Sequence, residues 1–243
     1  MKRRGFIITG GILGGGLLVG VGGITYVNKK IANYSGLGLG EGTSLNAFVR
    51  ITPDNKITLA ISKTEMGQGV YTALPQLIAE ELEISMSDVQ VVHPQPEGPY
   101  ANLFMAHESP RDLYGKLTTM QKIFSLVPNI VTGGSTSVRD EYDHLRVVGA
   151  MAREMLVQAA ANQWGVNKSD CLAKDGVVIN QSTGEELTYG TLAPEAAKVK
   201  APEKPSLKAR ENFKLVGKSV PLSLIHISEP TRHTSQSRMP CCG

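Results

Sequence analysis

The chain has 243 residues, 25 basic against 22 acidic side chains, a formal net charge of +3 and a hydrophobic fraction of 41%. That apolar content suffices for one large or two small packed domains, which excludes a disordered chain. A charge this close to neutral, with no basic run interleaved with aromatic residues, argues against nucleic acid as a partner.

Met1-Lys2-Arg3-Arg4-Gly5-Phe6 sets a basic cluster before an uncharged apolar and glycine-rich run, Ile7 to Val27. A run of about 20 residues has the length of a membrane-spanning helix or of a signal sequence's apolar core. The pair Arg3-Arg4 with Phe6 is similar to a twin-arginine export signal, and the many glycines suit a signal better than a strong anchor. An ordinary N-terminal anchor with a coincidental arginine pair is the other reading. Either way residues 1–30 form a signal or anchor helix, and the rest of the protein is expected in the periplasm, with inner-membrane attachment if the segment is retained. Gly36, Gly38, Gly40 and Gly42 make residues 31–44 a flexible linker.

From Leu45 the pattern becomes globular. Ala47, Val49 and Ile51 alternate with polar positions, as do Ile57, Leu59 and Ile61, and Pro53-Asp54-Asn55 between them is turn chemistry, so a β-hairpin is predicted. Its second strand runs into Lys63-Thr64-Glu65-Met66-Gly67-Gln68-Gly69, after which Val70, Leu74, Leu77, Ile78 and Leu82 fall on one helical stripe. Glycines at a strand-to-helix junction let the backbone approach a ligand, and the helix start offers amide hydrogens and a positive dipole to an anion or polar heterocycle. Gln68 adds an amide that both donates and accepts. The same pattern also describes a plain tight turn.

Val89-Gln90-Val91-Val92 reads as a strand, and Pro94, Pro96, Gly98 and Pro99 stop regular structure after it. The stretch from Tyr100 to Pro128 is ambiguous. His93 and His107 have no second ligand at metal spacing and are assigned to surface or core. Thr132-Gly133-Gly134-Ser135-Thr136-Ser137-Val138 places hydroxyls and glycines before a long helix, where they can cap its N-terminus or contact a bound anion. That helix is predicted over 137–164 and ends at Gly165, with Leu145, Val148, Ala152, Leu156 and Ala159 as its apolar stripe. Arg139, Asp140, Arg146, Arg153 and Glu154 are expected on its solvated face.

Short strands follow around Leu172, Val177 to Ile179 and Leu187 to Tyr189, with turns at Asp175-Gly176 and Ser182-Thr183-Gly184, and then a small helix over 191–199. Ala201 to Pro205 reads as a linker. Leu222-Ser223-Leu224-Ile225-His226-Ile227-Ser228-Glu229-Pro230-Thr231-Arg232 resembles the conceptual translation of a transposase adapter from sequencing-library preparation, so residues 222–243 are set aside as artefactual. Cys241, Cys242, His226 and His233 then carry no role. Cys171 is left alone, without a disulfide framework or a cysteine metal site.

The string from Lys63 to Gly69, continued by Thr72-Ala73-Leu74-Pro75-Gln76 and Ala79-Glu80-Glu81-Leu82, resembles the molybdenum hydroxylases related to xanthine dehydrogenase. Among them it is most similar to the large (beta) subunit of isoquinoline 1-oxidoreductase and to membrane-associated aldehyde dehydrogenases. Gly133-Gly134-Ser135-Thr136-Ser137 is similar to a second cofactor segment of that family.

The resemblance implies an α+β fold: the N-terminal part of a molybdopterin cofactor-binding domain, with a mixed sheet and flanking helices, over residues 45–200. Residues 201–221 would be a linker and the start of an a/b hammerhead domain. It further implies that Met66, Gly67, Gln68, Gly69, Gly134, Ser135, Thr136 and Ser137 contact a molybdenum-molybdopterin cofactor in its cytosine dinucleotide form. The activity implied is an exported oxidoreductase that hydroxylates an N-heterocycle or oxidises an aldehyde with oxygen from water. Electrons would pass to iron-sulfur clusters on a small partner subunit, with a membrane cytochrome c subunit as a further partner. The family's catalytic glutamate has no counterpart in this chain, Glu65 not being it, so no catalytic residue is assigned and the chain by itself is expected to be inactive. A non-enzymatic, membrane-tethered α+β binding or assembly module is the competing reading, since no Ser-His-Asp or Cys-His set is visible.

Overall fold

The computed structural model describes residues 41–94, 100, 102 and 130–219. The predicted signal or anchor, most of the glycine-rich linker, His107 and the adapter-like tail lie outside these residues. Among the described residues no helix is long and apolar enough to cross a membrane.

Strands β1 (Thr43–Ser44), β2 (Val49–Ile51), β3 (Ile57–Ala60) and β4 (Val89–Val92) form a sheet in that order. The predicted hairpin is present: β2 and β3 are antiparallel, with Val49 opposite Leu59 and Ile51 opposite Ile57. Asn55 takes the left-handed conformation, φ 64°, that the turn requires and that asparagine tolerates. Strand β3 then pairs in parallel with β4, and helix α1 (Val70–Leu82) crosses between them. All four residues of β3 are buried, as expected where both faces of a strand are covered.

Helix α2 (Ser137–Trp164) matches its predicted bounds, and Gly165 closes it at φ 67°. The stripes read from the sequence, Val70, Leu74, Leu77, Ile78 and Leu82 on α1 and Leu145, Val148, Ala152, Leu156 and Ala159 on α2, are all buried. At the helix-helix contact, a Cβ built on Gly149 would lie 2.5 Å from the Ile78 carbonyl oxygen and 3.0 Å from Glu81 Cβ, so only glycine permits the observed approach. Gly149→Ala is therefore expected to force the helices apart at a cost of about 1–3 kcal/mol, read as a lower urea midpoint.

A second, antiparallel sheet contains β5 (Cys171–Lys174), β6 (Val177–Asn180) and β7 (Glu186–Thr188) in that order. Its turn sits at Asp175 and Gly176, φ 48° and 79°. Tyr189 begins helix α3 (Tyr189–Ala196) rather than ending a strand, because the Thr188 hydroxyl accepts from the Thr191 amide and caps a helix there. Two side chains tie this unit to the β2–β3 turn and to the end of α1. Asn55 accepts from the Gly190 amide at 2.8 Å and donates to the Gly176 carbonyl at 3.3 Å, and the buried Tyr189 hydroxyl donates to the Leu82 carbonyl at 2.8 Å.

Of the charged face expected on α2, Arg139 is exposed but the rest is covered. Asp140 and Arg146 are buried, with Glu141 beside them, while Arg153 and Glu154 are partly covered. The cause is tertiary. Asp140 and Glu141 face Lys63, while segment 206–216, part of the stretch expected as a linker and module start, is strapped across α1 and α2, and its backbone engages Arg146, Arg153 and Glu154. Arg153 donates to the Ser206 carbonyl at 2.5 Å, Arg146 to the Lys208 carbonyl at 2.7 Å, and the Ser206 amide donates to Glu154 at 2.6 Å. Arg146 also lies 5.0 Å from the Phe213 ring centroid. From α1, Glu80 Oε2 accepts the successive amides of Lys214, Leu215 and Val216 at 2.8, 2.6 and 3.1 Å.

Burial pushes the Glu80 carboxyl up, but the Lys208 ammonium and those three amides outweigh it and hold it below its ordinary value. Glu83 is held low likewise, Lys214 and Lys208 outweighing burial. A carboxyl whose folded pKa is depressed stabilises the fold above its unfolded pKa and loses that contribution as pH falls through the folded value. Attachment of the strap should therefore be constant from neutral pH to about pH 5 and weaken below about pH 4. Hydrogen exchange of residues 206–216 against pH checks this.

Candidate cofactor site

The two glycine loops meet. The Thr64 amide donates to Thr132 Oγ1 at 2.7 Å, Ser62 Oγ to Glu141 at 3.1 Å and Lys63 Nζ to Asp140 at 3.2 Å, so the segment entering the first loop lies along the second loop and the start of α2. Farther along, Glu81 near the end of α1 receives Arg146 of α2, and Ile78 abuts Gly149. The helices thus run in the same direction with both N-termini at one end, under the two loops.

In the first loop Gly67 and Gly69 adopt φ 86° and 84°, a conformation that other residues avoid. A Cβ built on Gly69 would meet nothing within 4 Å, and the same holds at Gly133, so both loops border open space. Met66 is 59% exposed and Gln68 is exposed beside it. In the second loop Gly134 and Ser135 take φ 60° and 56°, and both are exposed. Ser137 opens α2 half-buried.

Three local arrangements differ from the sequence expectation. The amides at the start of α1 are not free for a guest: Glu65 Oε1 accepts from Gly67 and Gly69 at 2.7 and 3.1 Å, and Oε2 accepts from Tyr71 at 3.0 Å. Burial pushes the Glu65 carboxyl up, and the amides of Tyr71, Gly69, Gly67 and Met66 more than offset it, holding it below its ordinary value. The Gln68 side chain is turned back on its own loop, accepting from the Met66 amide at 2.5 Å and donating to the Thr64 carbonyl at 2.8 Å. Thr136 is buried, and its hydroxyl donates to the Gly133 carbonyl at 2.8 Å while accepting from Asn102 at 2.9 Å. It sits at the N-cap of α2 without capping it. Met66, Gly67, Gln68 and Gly69 on the first loop and Gly134, Ser135 and Ser137 on the second are thus all exposed or half-buried, with Thr136 as an internal strut.

Sequence reasoning missed Lys63, Thr64, Asn102 and Thr132, the groups that hold the loops in place. The Lys63-Thr64-Glu65 string and the Thr132 to Val138 stretch contained three of them without assigning them this part, and nothing marked Asn102. His93, left as a surface or core residue, is exposed, and its Nδ1 lies 3.3 Å from the Tyr71 hydroxyl. Among the described residues no cluster of His, Cys, Asp and Glu could hold a metal ion.

The described residues thus form an α+β unit in which two glycine loops come together at the starts of two parallel helices. The matching family model is the molybdopterin cofactor-binding domain, over residues 13–99. The chain is 29% identical to the beta subunit of isoquinoline 1-oxidoreductase from Brevundimonas diminuta, over 84% of its own length and 22% of that protein's. It is 27% identical to the membrane-bound aldehyde dehydrogenase (pyrroloquinoline-quinone) of Gluconacetobacter polyoxogenes, over 79% of this chain and 21% of that one. A nicotinate dehydrogenase subunit of Pseudomonas putida is 28% identical over 73% of this chain and 13% of its own. Among solved structures, quinoline 2-oxidoreductase from Pseudomonas putida 86 aligns with TM-score 0.39 at 19% identity, covering 61% of this chain and 16% of that one. By sequence the chain is similar to the molybdenum hydroxylases of the xanthine oxidase family. It spans about a fifth of the length of the first two relatives.

Proposed function

We propose that this chain is part of the molybdopterin-binding large subunit of an exported oxidoreductase that hydroxylates an N-heterocycle or oxidises an aldehyde with oxygen from water. The observation that carries this reading is the Thr64 to Thr132 hydrogen bond, 2.7 Å, which joins the two cofactor-type loops into a single surface at one end of two parallel helices. The open space beside Gly69 and Gly133 fits the approach of a flat, polar group to the backbone.

The rim residues Met66, Gly67, Gln68, Gly69, Gly134, Ser135 and Ser137 would hold the cofactor, in its cytosine dinucleotide form, with Thr136 bracing the second loop. When bound, the molybdenum-pterin group supplies the redox and oxygen-transfer chemistry. The side chains present here orient it and shape its surroundings. Iron-sulfur clusters on a small partner subunit, and beyond it a membrane cytochrome c subunit, would take up the electrons. The Arg3-Arg4 pair before the apolar run supports export.

The test is purification of the intact protein encoded by the complete gene, with metal analysis and cofactor extraction. Stoichiometric molybdenum and a pterin dinucleotide are expected. A fully active preparation that lacks molybdenum, or that carries pyrroloquinoline quinone instead, overturns the reading.

A further inference from the structure

The start of α1 would ordinarily be the place to seat a phosphate, because the first-turn amides are unsatisfied within the helix and the dipole favours negative charge. Here a side chain of the same loop already provides that charge. Both carboxylate oxygens of Glu65 are engaged, Oε1 by the amides of Gly67 and Gly69 and Oε2 by that of Tyr71. Gly69, the N-cap residue of α1, is left-handed and has no side chain to offer, so Glu65 is the cap in function although it precedes the helix by several positions. Two further features belong to the same arrangement. The left-handed turns at Gly67 and Gly69 aim their amides inward at Glu65, and Gln68 between them is held outside, exposed.

We infer that Glu65 is a positioning residue: its carboxylate is a built-in anion that fills the amide cradle at the start of α1, fixing the loop so that the Met66 to Gly69 rim presents to the cofactor. The cofactor's phosphates are thereby kept off this helix N-terminus and must find their cations and amides elsewhere. The inference rests on the cofactor reading above only for what the rim presents to. The filled cradle itself is a property of the chain alone.

The two oxygens are not equivalent, which gives the test its gradation. In Glu65→Gln the carbonyl can replace Oε1 and keep the Gly67 and Gly69 bonds, while the amide nitrogen meets the Tyr71 amide donor to donor. Glu65→Ala empties the cradle. The thermal midpoint of the full chain is expected to fall by roughly 3–6 °C for Glu65→Ala, with Glu65→Gln in between. Formate, a carboxylate small enough for the vacated space, should restore most of the loss in Glu65→Ala in a saturable way, and inorganic phosphate should stabilise the same variant. Wild type should respond to neither beyond the effect of matched chloride.

In the intact protein, molybdenum content should fall several-fold in Glu65→Ala and partly recover in Glu65→Gln. Equal stabilisation of wild type and Glu65→Ala by phosphate would show an open helix terminus and overturn the inference. So would a Glu65→Ala variant with an unchanged midpoint, or with a lowered midpoint that formate fails to raise. Intact wild type devoid of molybdenum would instead remove the cofactor reading and leave the rescue by formate as its own result.

Discussion

Glu81→Ala is expected to cost about 3–5 kcal/mol, a large share of the stability of a domain this size. Glu81 is fully buried, and both Nε and Nη2 of Arg146 donate to its Oε1 at 2.9 and 2.8 Å. Its Oε2 accepts from the Lys208 amide at 2.9 Å and faces Arg153 Nη1 at 3.4 Å. Removing the carboxylate leaves two guanidinium groups with little exposure beside an emptied space. The penalty is the desolvation of those cations more than the loss of any single bond. The strap should loosen with it, because Arg146 and Arg153 also hold the Ser206 and Lys208 carbonyls. Urea unfolding measures the first effect, and limited proteolysis within 206–216 measures the second. A loss below about 1 kcal/mol would mean that water reaches the guanidinium groups and that the cluster behaves as a surface pair.

That cluster also explains why part of the structure was not legible in the sequence. Periodicity reads a helix by its apolar stripe and assigns the remaining charges to solvent, and for α2 the stripe and both ends were read correctly from Leu145, Val148, Ala152, Leu156, Ala159 and Gly165. Arg146 and Arg153 lie off that stripe, yet they serve carbonyls on a segment more than fifty residues farther along the chain. Nothing local in the sequence records such a partner.

The same limit applies at the site. Glycines at a strand-to-helix junction correctly marked the position of the first loop, because φ near 85° at Gly67 and Gly69 is a backbone demand that residue type reveals. They could not say which anion meets the amides. Glu65 lies two residues before Gly67 in sequence, but its engagement depends on the loop's full turn. Side-chain chemistry and the family resemblance point to Gln68 and Thr136 as ligand contacts, and the fold gives both side chains partners within the loops.

Lys63→Met is expected to be nearly as damaging as the loss of Glu81, about 3–5 kcal/mol, and to reach the cofactor rim as well. Lys63 has a side-chain exposure of 0% and places its ammonium 3.2 Å from Asp140 and 3.5 Å from Glu141, adjacent carboxylates in the first turns of α2. Ser62 donates to Glu141 from one side, and His144 Nδ1 lies 3.0 Å from its other oxygen. Methionine fills similar volume without charge, so the variant isolates the electrostatic loss: two buried acidic groups no longer share a cation. Because Lys63 directly precedes Thr64, whose amide bridges to Thr132, the same change should slacken the junction of the two loops. The double variant Lys63→Met with Asp140→Asn decides between mechanisms. If the cost is an uncompensated buried charge, removing one carboxylate should recover a substantial part of it, giving a coupling of about 1–3 kcal/mol in a double-mutant cycle. Additive losses in urea unfolding would mean instead that Lys63 contributes by packing its alkyl stem, and that the loop junction does not depend on the ion pair.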